Sequence, residues 1–259
     1  PVSSSAHLLI LSNLNNYNFA SLEIDVSLHL GSLIAILIYF RKELITIFKN
    51  KNLLYLIIFG SIPLIIIGYV LHSLEIVYLL RNIKVIAWTT LIFGILLYLS
   101  DKKDSTKKFE DNLNTKNIIL IGLFQAVALI PGVSRSGIVI TAGRLLNFSR
   151  IDSAKIAFIL SIPALTGASI LSLGNVIDEN IKFNIVIFIS IFFSCIFSYL
   201  TIKFLLFYLK KFSLKVFVYY RILLMVVSNK ILFESKAYLD QILKRVSNIS
   251  SIIAIYKIK

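Results

Sequence analysis

Long apolar runs, set off from one another by short charged stretches, dominate the chain. Runs approaching spanning length fall at 26–40, 53–71, 84–99, 154–173, 184–209 and 214–227. A helix that crosses a bilayer needs roughly 17–25 such residues, and the shorter runs suffice where flanking side chains snorkel. The pattern predicts an all-α polytopic membrane protein with about six transmembrane helices. Two further apolar segments are broken. One covers 2–14; the other, 118–146, is interrupted by Pro131-Gly132 and carries Gln125 and Arg135. Thirteen residues of helix reach only about 20 Å, so each half of the second segment reads as one arm of a re-entrant hairpin.

The loop charges orient these spans. With 41–52 in the cytoplasm and the hairpin entering and leaving on one side, loops 41–52, 100–117, 147–155 and 210–215 hold 14 Lys and Arg. The outer loops 12–25, 73–83 and 175–183 hold 2. That asymmetry is the positive-inside bias. The tail departs from it, carrying Lys230, Lys236, Lys244, Arg245, Lys257 and Lys259. Residues 1–228 therefore read as a single membrane-embedded domain, and 229–259 as a basic C-terminal extension, peripheral or poorly ordered. The chain opens at Pro1 with no initiator Met, basic n-region or cleavage pattern, and reads as starting inside a longer protein.

Composition agrees. Apolar residues make up 58% of the 259, above the roughly 45–50% of soluble domains. The net charge of +14 sits in loops between apolar runs, so it reads as membrane topology, with no nucleic acid as partner. Cys195 is the single cysteine, which excludes an internal disulfide; in its apolar stretch it reads as a packed, inert thiol.

An internal echo links the broken segments. Val2-Ser3-Ser4-Ser5 follows Pro1 as Val133-Ser134-Arg135-Ser136 follows Pro131-Gly132, and each opens a half-length apolar helix. The alternation places the first on the outer side and the second on the cytoplasmic side, the signature of an inverted-topology repeat whose half-helices meet near the midplane. A second echo, Ser61-Ile62-Pro63 against Ser161-Ile162-Pro163, has a different offset and is read as chance.

Arg135 carries the sharpest chemistry. An arginine at the tip of an embedded hairpin costs about 2.5–3.5 kcal/mol on insertion scales unless it meets water or a partner. Ser134 and Ser136 add hydroxyls, and Gly132 permits a tight turn into a helix whose first free N–H groups point the same way. Guanidinium fork, hydroxyls and helix start together describe a phosphate or pyrophosphate cradle. Ser3, Ser4, Ser5 and His7 form the second cluster: Ser4 lies three and Ser3 four positions before His7, so one imidazole reaches either hydroxyl on a helix, an outline of nucleophile and base. Gln125 and Arg221 are embedded polar groups that need partners, and they join the substrate-binding set in a supporting role. His29, one turn from Asp25, reads as a helix-end contact or part of the site wall, the former favoured; Trp88 reads as a lipid-facing or packing residue, and the mixed-charge run 101–111 as a solvated loop. No Walker loop, His-rich metal site or dinucleotide fingerprint is present.

Four stretches carry a family resemblance: Pro1-Val2-Ser3-Ser4-Ser5-Ala6-His7, Asp25-Val26-Ser27-Leu28-His29-Leu30-Gly31-Ser32, Gln125-Ala126-Val127-Ala128-Leu129-Ile130-Pro131-Gly132-Val133-Ser134-Arg135-Ser136-Gly137, and Tyr220-Arg221. In this order, over about residues 1–228, they resemble the undecaprenyl-diphosphate phosphatase family linked to bacitracin resistance. The resemblance implies a bacterial inner-membrane enzyme that hydrolyses the diphosphate of a polyprenyl lipid carrier to the monophosphate, recycling it for cell-wall synthesis. It implies an inverted-repeat fold with two re-entrant hairpins, a site facing the outer side, and a divalent cation such as Mg²⁺ or Ca²⁺. On this resemblance Ser4 is the leading nucleophile, His7 its proton partner, and Arg135 with Ser134 and Ser136 the phosphate clamp. The family pattern also places two glutamates just before the proline that is Pro1 here; the metal-binding carboxylates are thus expected upstream of this chain, and the chain as written is expected to be inactive. A homo-oligomer is compatible with this reading. The rival class is a transporter or flippase for an anionic lipid or ion, since broken helices and midplane arginines serve carriers too.

Overall fold

The computed structural model describes residues 2, 7, 22–74, 80, 82–102, 105–178 and 185–230. Among these the regular elements are helices: α1 Leu22–Tyr39, α2 Arg41–Lys49, α3 Lys51–Ser73, α4 Ile83–Ser100, α5 Phe109–Asn112, α6 Thr115–Val127, α7 Arg135–Leu145, α8 Arg150–Asp178 and α9 Ile185–Lys211. A last helix, α10, covers 215–230. Four helices are long and apolar enough to cross a membrane, over Lys51–Leu71, Ile83–Ser100, Arg150–Ile170 and Ile185–Lys211, and Val26–Tyr39 is a shorter apolar helix. The chain is an all-α membrane protein, and the six apolar runs all fall on helices. The first broken segment and the tail beyond 230 lie outside the described residues, Val2 and His7 excepted.

Both faces of the spanning helices are apolar, because lipid on one side and protein on the other are equally poor solvents for polar groups. Ile65, Phe188, Phe192 and Phe204 point outward, while Ala35, Phe40, Leu97, Ile121, Ile140 and Leu160 fill the interior. With little hydrophobic force to press helices together in lipid, close approach depends on small residues. An added Cβ at Gly122 of α6 would lie 2.2 Å from the Gly60 carbonyl oxygen of α3, so these two helices cross backbone to backbone. At Gly31 of α1 a Cβ would lie 2.6 Å from Ile191 O and 2.5 Å from Ser194 Cβ of α9, and Ser194 Oγ donates to Leu28 O at 2.9 Å.

The hairpin forms where the sequence breaks. Its arms, α6 and α7, have 13 and 11 residues, each too short to span, and they pack on each other. Asn114 caps α6 by accepting from Asn117 N at 2.9 Å. Helix α1 packs on α8 and α9, and α3 packs on α6 and α8.

The four basic loops meet at one end of the molecule. Asp101, at the end of α4, accepts from Arg150 Nε at 2.7 Å and from Leu214 N at 2.9 Å, and it pairs with Arg144 at 3.2 Å. Lys155 pairs with Glu43 at 3.8 Å, and Lys107 bridges to Phe148. Both ends of the hairpin, the α8 start and the α9–α10 turn are thus tied together on one side. The run 101–111 is therefore not wholly a solvated loop: Asp101 is buried, because two arginines and a backbone N–H replace the water it would otherwise need.

Candidate active site

The site is built on the turn between α6 and α7. Three successive carbonyls of that turn are held by side chains from other helices. Thr89 Oγ1 of α4 donates to Pro131 O at 2.7 Å, Thr90 Oγ1 to Gly132 O at 3.4 Å, and Arg221 Nη2 of α10 to Val133 O at 2.7 Å. Gly132 adopts φ +90, and a Cβ there would lie 2.2 Å from Thr89 Oγ1 and 2.9 Å from Ile86 O; glycine answers both demands. Ser134 follows at φ 69, a left-handed conformation that costs a non-glycine residue about 1–3 kcal/mol and persists only where its surroundings enforce it. The carbonyl clamps supply that enforcement.

Ser134 is the N-cap of α7, its Oγ accepting from Gly137 N at 3.3 Å. Arg135 and Ser136 are then the first helical residues, whose N–H groups have no partner within the helix. Side chains of Ser134, Arg135 and Ser136 line one cavity of about 1100 Å³, together with His29 and Ser32 of α1, Ser161 of α8, and Ser198 and Thr201 of α9. Among the described residues the ion pairs are those of Arg144 and Arg150 with Asp101 and of Lys155 with Glu43. No described carboxylate neutralises Arg135. A guanidinium, hydroxyls and the positive end of a helix on one wall are groups that can bind an anion.

The remaining expected residues fall as follows. Ser3, Ser4 and Ser5 lie outside the described residues. His7 is described: its Nε2 is hydrogen-bonded to the Tyr220 hydroxyl of α10, and the two rings lie near-parallel with centroids 5.7 Å apart. Tyr220 contacts the first serine motif and its neighbour Arg221 the second, so two consecutive residues of α10 bring the motifs to one helix. Arg221 is 1% exposed and runs past Gly94 and Gly137, where a Cβ would lie 3.3 Å from its Cβ and 2.5 Å from its Nη2. Gln125 is buried and donates to Leu160 O at 3.2 Å, fixing α6 to α8. Neither Gln125 nor Arg221 is among the cavity-lining residues. His29 is a wall residue rather than only a helix-end contact, because the face of α1 that carries His29, Ser32 and Ile36 turns to the cavity.

Thr89, Thr90, Ser161, Ser198 and Thr201 belong to the site or its frame without a motif that marks them in the sequence. Adjacent threonines inside an apolar spanning helix were the available signal, since embedded hydroxyls seek partners. Among the described residues no group of three or more His, Cys, Asp or Glu able to hold a metal occurs, and none of those that line the cavity is a carboxylate. The described residues therefore do not by themselves fit a divalent cation.

The family described as bacitracin resistance protein BacA matches residues 1–227. The undecaprenyl-diphosphatase of Pelagibacter ubique is 57% identical over 228 residues, covering 88% of this chain and 89% of that protein. The undecaprenyl-diphosphatase of Elusimicrobium minutum is 42% identical over 237 residues, 88% of this chain and 90% of that protein. That of Geobacter metallireducens is 37% identical over 238 residues, 86% and 88% respectively.

Proposed function

The chain belongs to the bacitracin resistance protein BacA family, and from that membership we propose that it is an undecaprenyl-diphosphatase. It hydrolyses undecaprenyl diphosphate to undecaprenyl phosphate and inorganic phosphate, which returns the lipid carrier to cell-wall synthesis and underlies resistance to bacitracin. One observation carries the reading: Arg135, Ser134 and Ser136 converge at the start of α7 on the wall of a cavity inside a membrane protein.

The chemistry follows from that wall. The diphosphate brings several negative charges, and more charge reaches the bridging oxygen as its bond to the terminal phosphorus breaks. Arg135 offers two parallel N–H donors to the phosphoryl oxygens, and the first turn of α7 adds N–H groups fixed before substrate arrives. In this proposal the Ser4 hydroxyl attacks the terminal phosphorus, His7 takes its proton, and undecaprenyl phosphate leaves. Water then releases inorganic phosphate from the serine. Tyr220 holds the His7 ring by its Nε2. Ser3 and Ser5 belong with the headgroup contacts, while Gln125, Gly132 and Arg221 set the hairpin's position. A divalent cation, Mg²⁺ or Ca²⁺, belongs to the proposal on the strength of the family resemblance, and it would supply further charge neutralisation. The proposal places the protein in the bacterial inner membrane.

The test is phosphate release in detergent, where no gradient exists. Purified full-length protein given undecaprenyl diphosphate should release inorganic phosphate, and Arg135→Ala should not. A carrier for an anionic lipid would bind the substrate and release none.

A further inference from the structure

The cavity is larger than a headgroup needs. Its roughly 1100 Å³ exceeds the 300–1,000 Å³ of pockets that enclose most of a drug-sized ligand. Toward α3 and the middle of α8 its lining is apolar but for Tyr69: Leu64, Ile65 and Gly68 of α3, Leu129 of the hairpin turn, and Ala164 and Gly167 of α8. Some of these residues also face outward. Ile65 is 56% exposed and Tyr69 75%, and Gly167 is exposed as well. Residues that line a cavity and also lie on the outer surface of spanning helices mark a mouth in its side. This mouth lies between α3 and α8 and opens toward the acyl chains.

Two glycines keep it open. At Gly167 an added Cβ would meet nothing within 4 Å, and at Gly68 only the Leu129 methyls at 3.8 Å. Neither has the positive φ that would demand glycine. Glycine inside a helix costs about 1 kcal/mol against alanine, so these positions forgo stability without a packing or backbone reason. What they leave is clearance.

We propose that the gap between α3 and α8, walled by Ile65, Gly68, Tyr69, Leu129 and Gly167, is the portal through which the substrate's polyisoprenoid tail leaves the site for the bilayer. The proposal rests on the hydrolase reading of the Arg135 wall, and it makes Gly167 a specificity-determining residue. A tail that threads the portal stays in an apolar environment along its length, and the headgroup reaches Arg135 without the chain crossing the polar wall. A second opening, beside Phe197 and Thr201 of α9, is flanked by the hydroxyls of Ser198 and Thr201. A Ser32–Ser198 hydrogen bond of 3.0 Å ties α1 to α9 beside it.

The experiment compares geranyl diphosphate, whose tail ends within the cavity, with undecaprenyl diphosphate, whose tail must leave it. Gly167→Phe and Gly68→Leu in the full-length protein should lower kcat/KM for the long substrate by about tenfold or more while geranyl diphosphate stays within about threefold of the parent, since filling an apolar pocket discriminates on that scale. Gly167→Ala should leave the ratio unchanged. An unchanged ratio in both large variants would overturn the portal. A second readout needs no turnover: an undecaprenyl diphosphate analogue photoreactive on its third isoprene unit, beyond the length of a geranyl tail, should label 65–69 and 164–168. Labelling at 197–201 instead overturns the proposal. Labelling at the portal without phosphate release by the parent would uphold the tail route and remove the hydrolase reading.

Discussion

Arg221 and Val133 stand 88 positions apart, and the guanidinium of one donates to the carbonyl of the other at 2.7 Å. The bond makes α10 part of the frame of the hairpin turn. It also separates two arginines that look alike in sequence: Arg135 lines the cavity, whereas Arg221 is buried behind the turn that presents it.

Removing Arg221 should therefore show first in stability. Arg221→Met keeps much of the volume and leaves the Val133 carbonyl buried without its donor, at a cost of about 1–3 kcal/mol. The midpoint of thermal unfolding in detergent should fall, and phosphate release should fall with it. Arg135→Met should lose phosphate release with its midpoint unchanged. If Arg221→Met instead kept the parent midpoint and raised KM alone, Arg221 would belong to the substrate and not to the frame.

Gly132→Ala should be more harmful than so small a change suggests. The new Cβ meets Thr89 Oγ1 at 2.2 Å and Ile86 O at 2.9 Å, at φ +90. The side-chain clash can be relieved, but the clash with a helix carbonyl and the left-handed backbone cannot, so a loss of about 1–3 kcal/mol is expected. Because Thr89 contributes one of the clashes, Gly132→Ala with Thr89→Ala should destabilise less than the sum of the two single changes. Chemical denaturation of the four proteins of that cycle checks the coupling, and strict additivity would mean that the Thr89 contact is not formed.

At the basic end, Asp101→Asn should destabilise strongly. The Asp101 and Arg144 side chains are 5% and 3% exposed, and removing one charge of such a buried pair costs about 3–5 kcal/mol because the other is left uncompensated. Arg150 is 30% exposed, so Arg150→Gln should cost within about 1 kcal/mol. Comparable midpoints for the two variants would show that Asp101 is solvated.

How far the sequence could be read differs by residue, for physical reasons. Spanning helices were legible because lipid imposes a length and an apolar content on each segment separately; the α6–α7 break was legible because Pro131-Gly132 is a local signal. Arg135 and its two serines were legible because an embedded charge demands a partner wherever the chain goes. Arg221 announced the same demand, but its partner is a backbone carbonyl with no signature of its own. Asp101 looked like any loop carboxylate, and its burial follows from α4, α7, α8 and the α9–α10 turn ending together, which only the folded chain reveals. Likewise, His29 changed from a helix-end residue to a cavity wall once the rotation of α1 was known.

Arg135 and Ser4 hold different jobs in the proposed reaction, and two substitutions separate them. Arg135→Lys keeps the charge but replaces a planar, two-pronged donor with a single strongly hydrated ammonium. In the full-length protein it should lower kcat/KM by about tenfold or more, since a charge-assisted hydrogen bond is worth about 1.5–3 kcal/mol. Ser4→Ala should leave substrate affinity near the parent value and lower kcat, because a nucleophile acts in the transition state rather than in the ground state. Steady-state phosphate release with measured substrate binding distinguishes the two patterns. Ser4→Ala with kcat within about threefold of the parent would remove the serine as nucleophile and leave water in that role. Full retention by Arg135→Lys would reduce the arginine to a point charge, and the α7 N–H groups and hydroxyls would then have to hold the diphosphate.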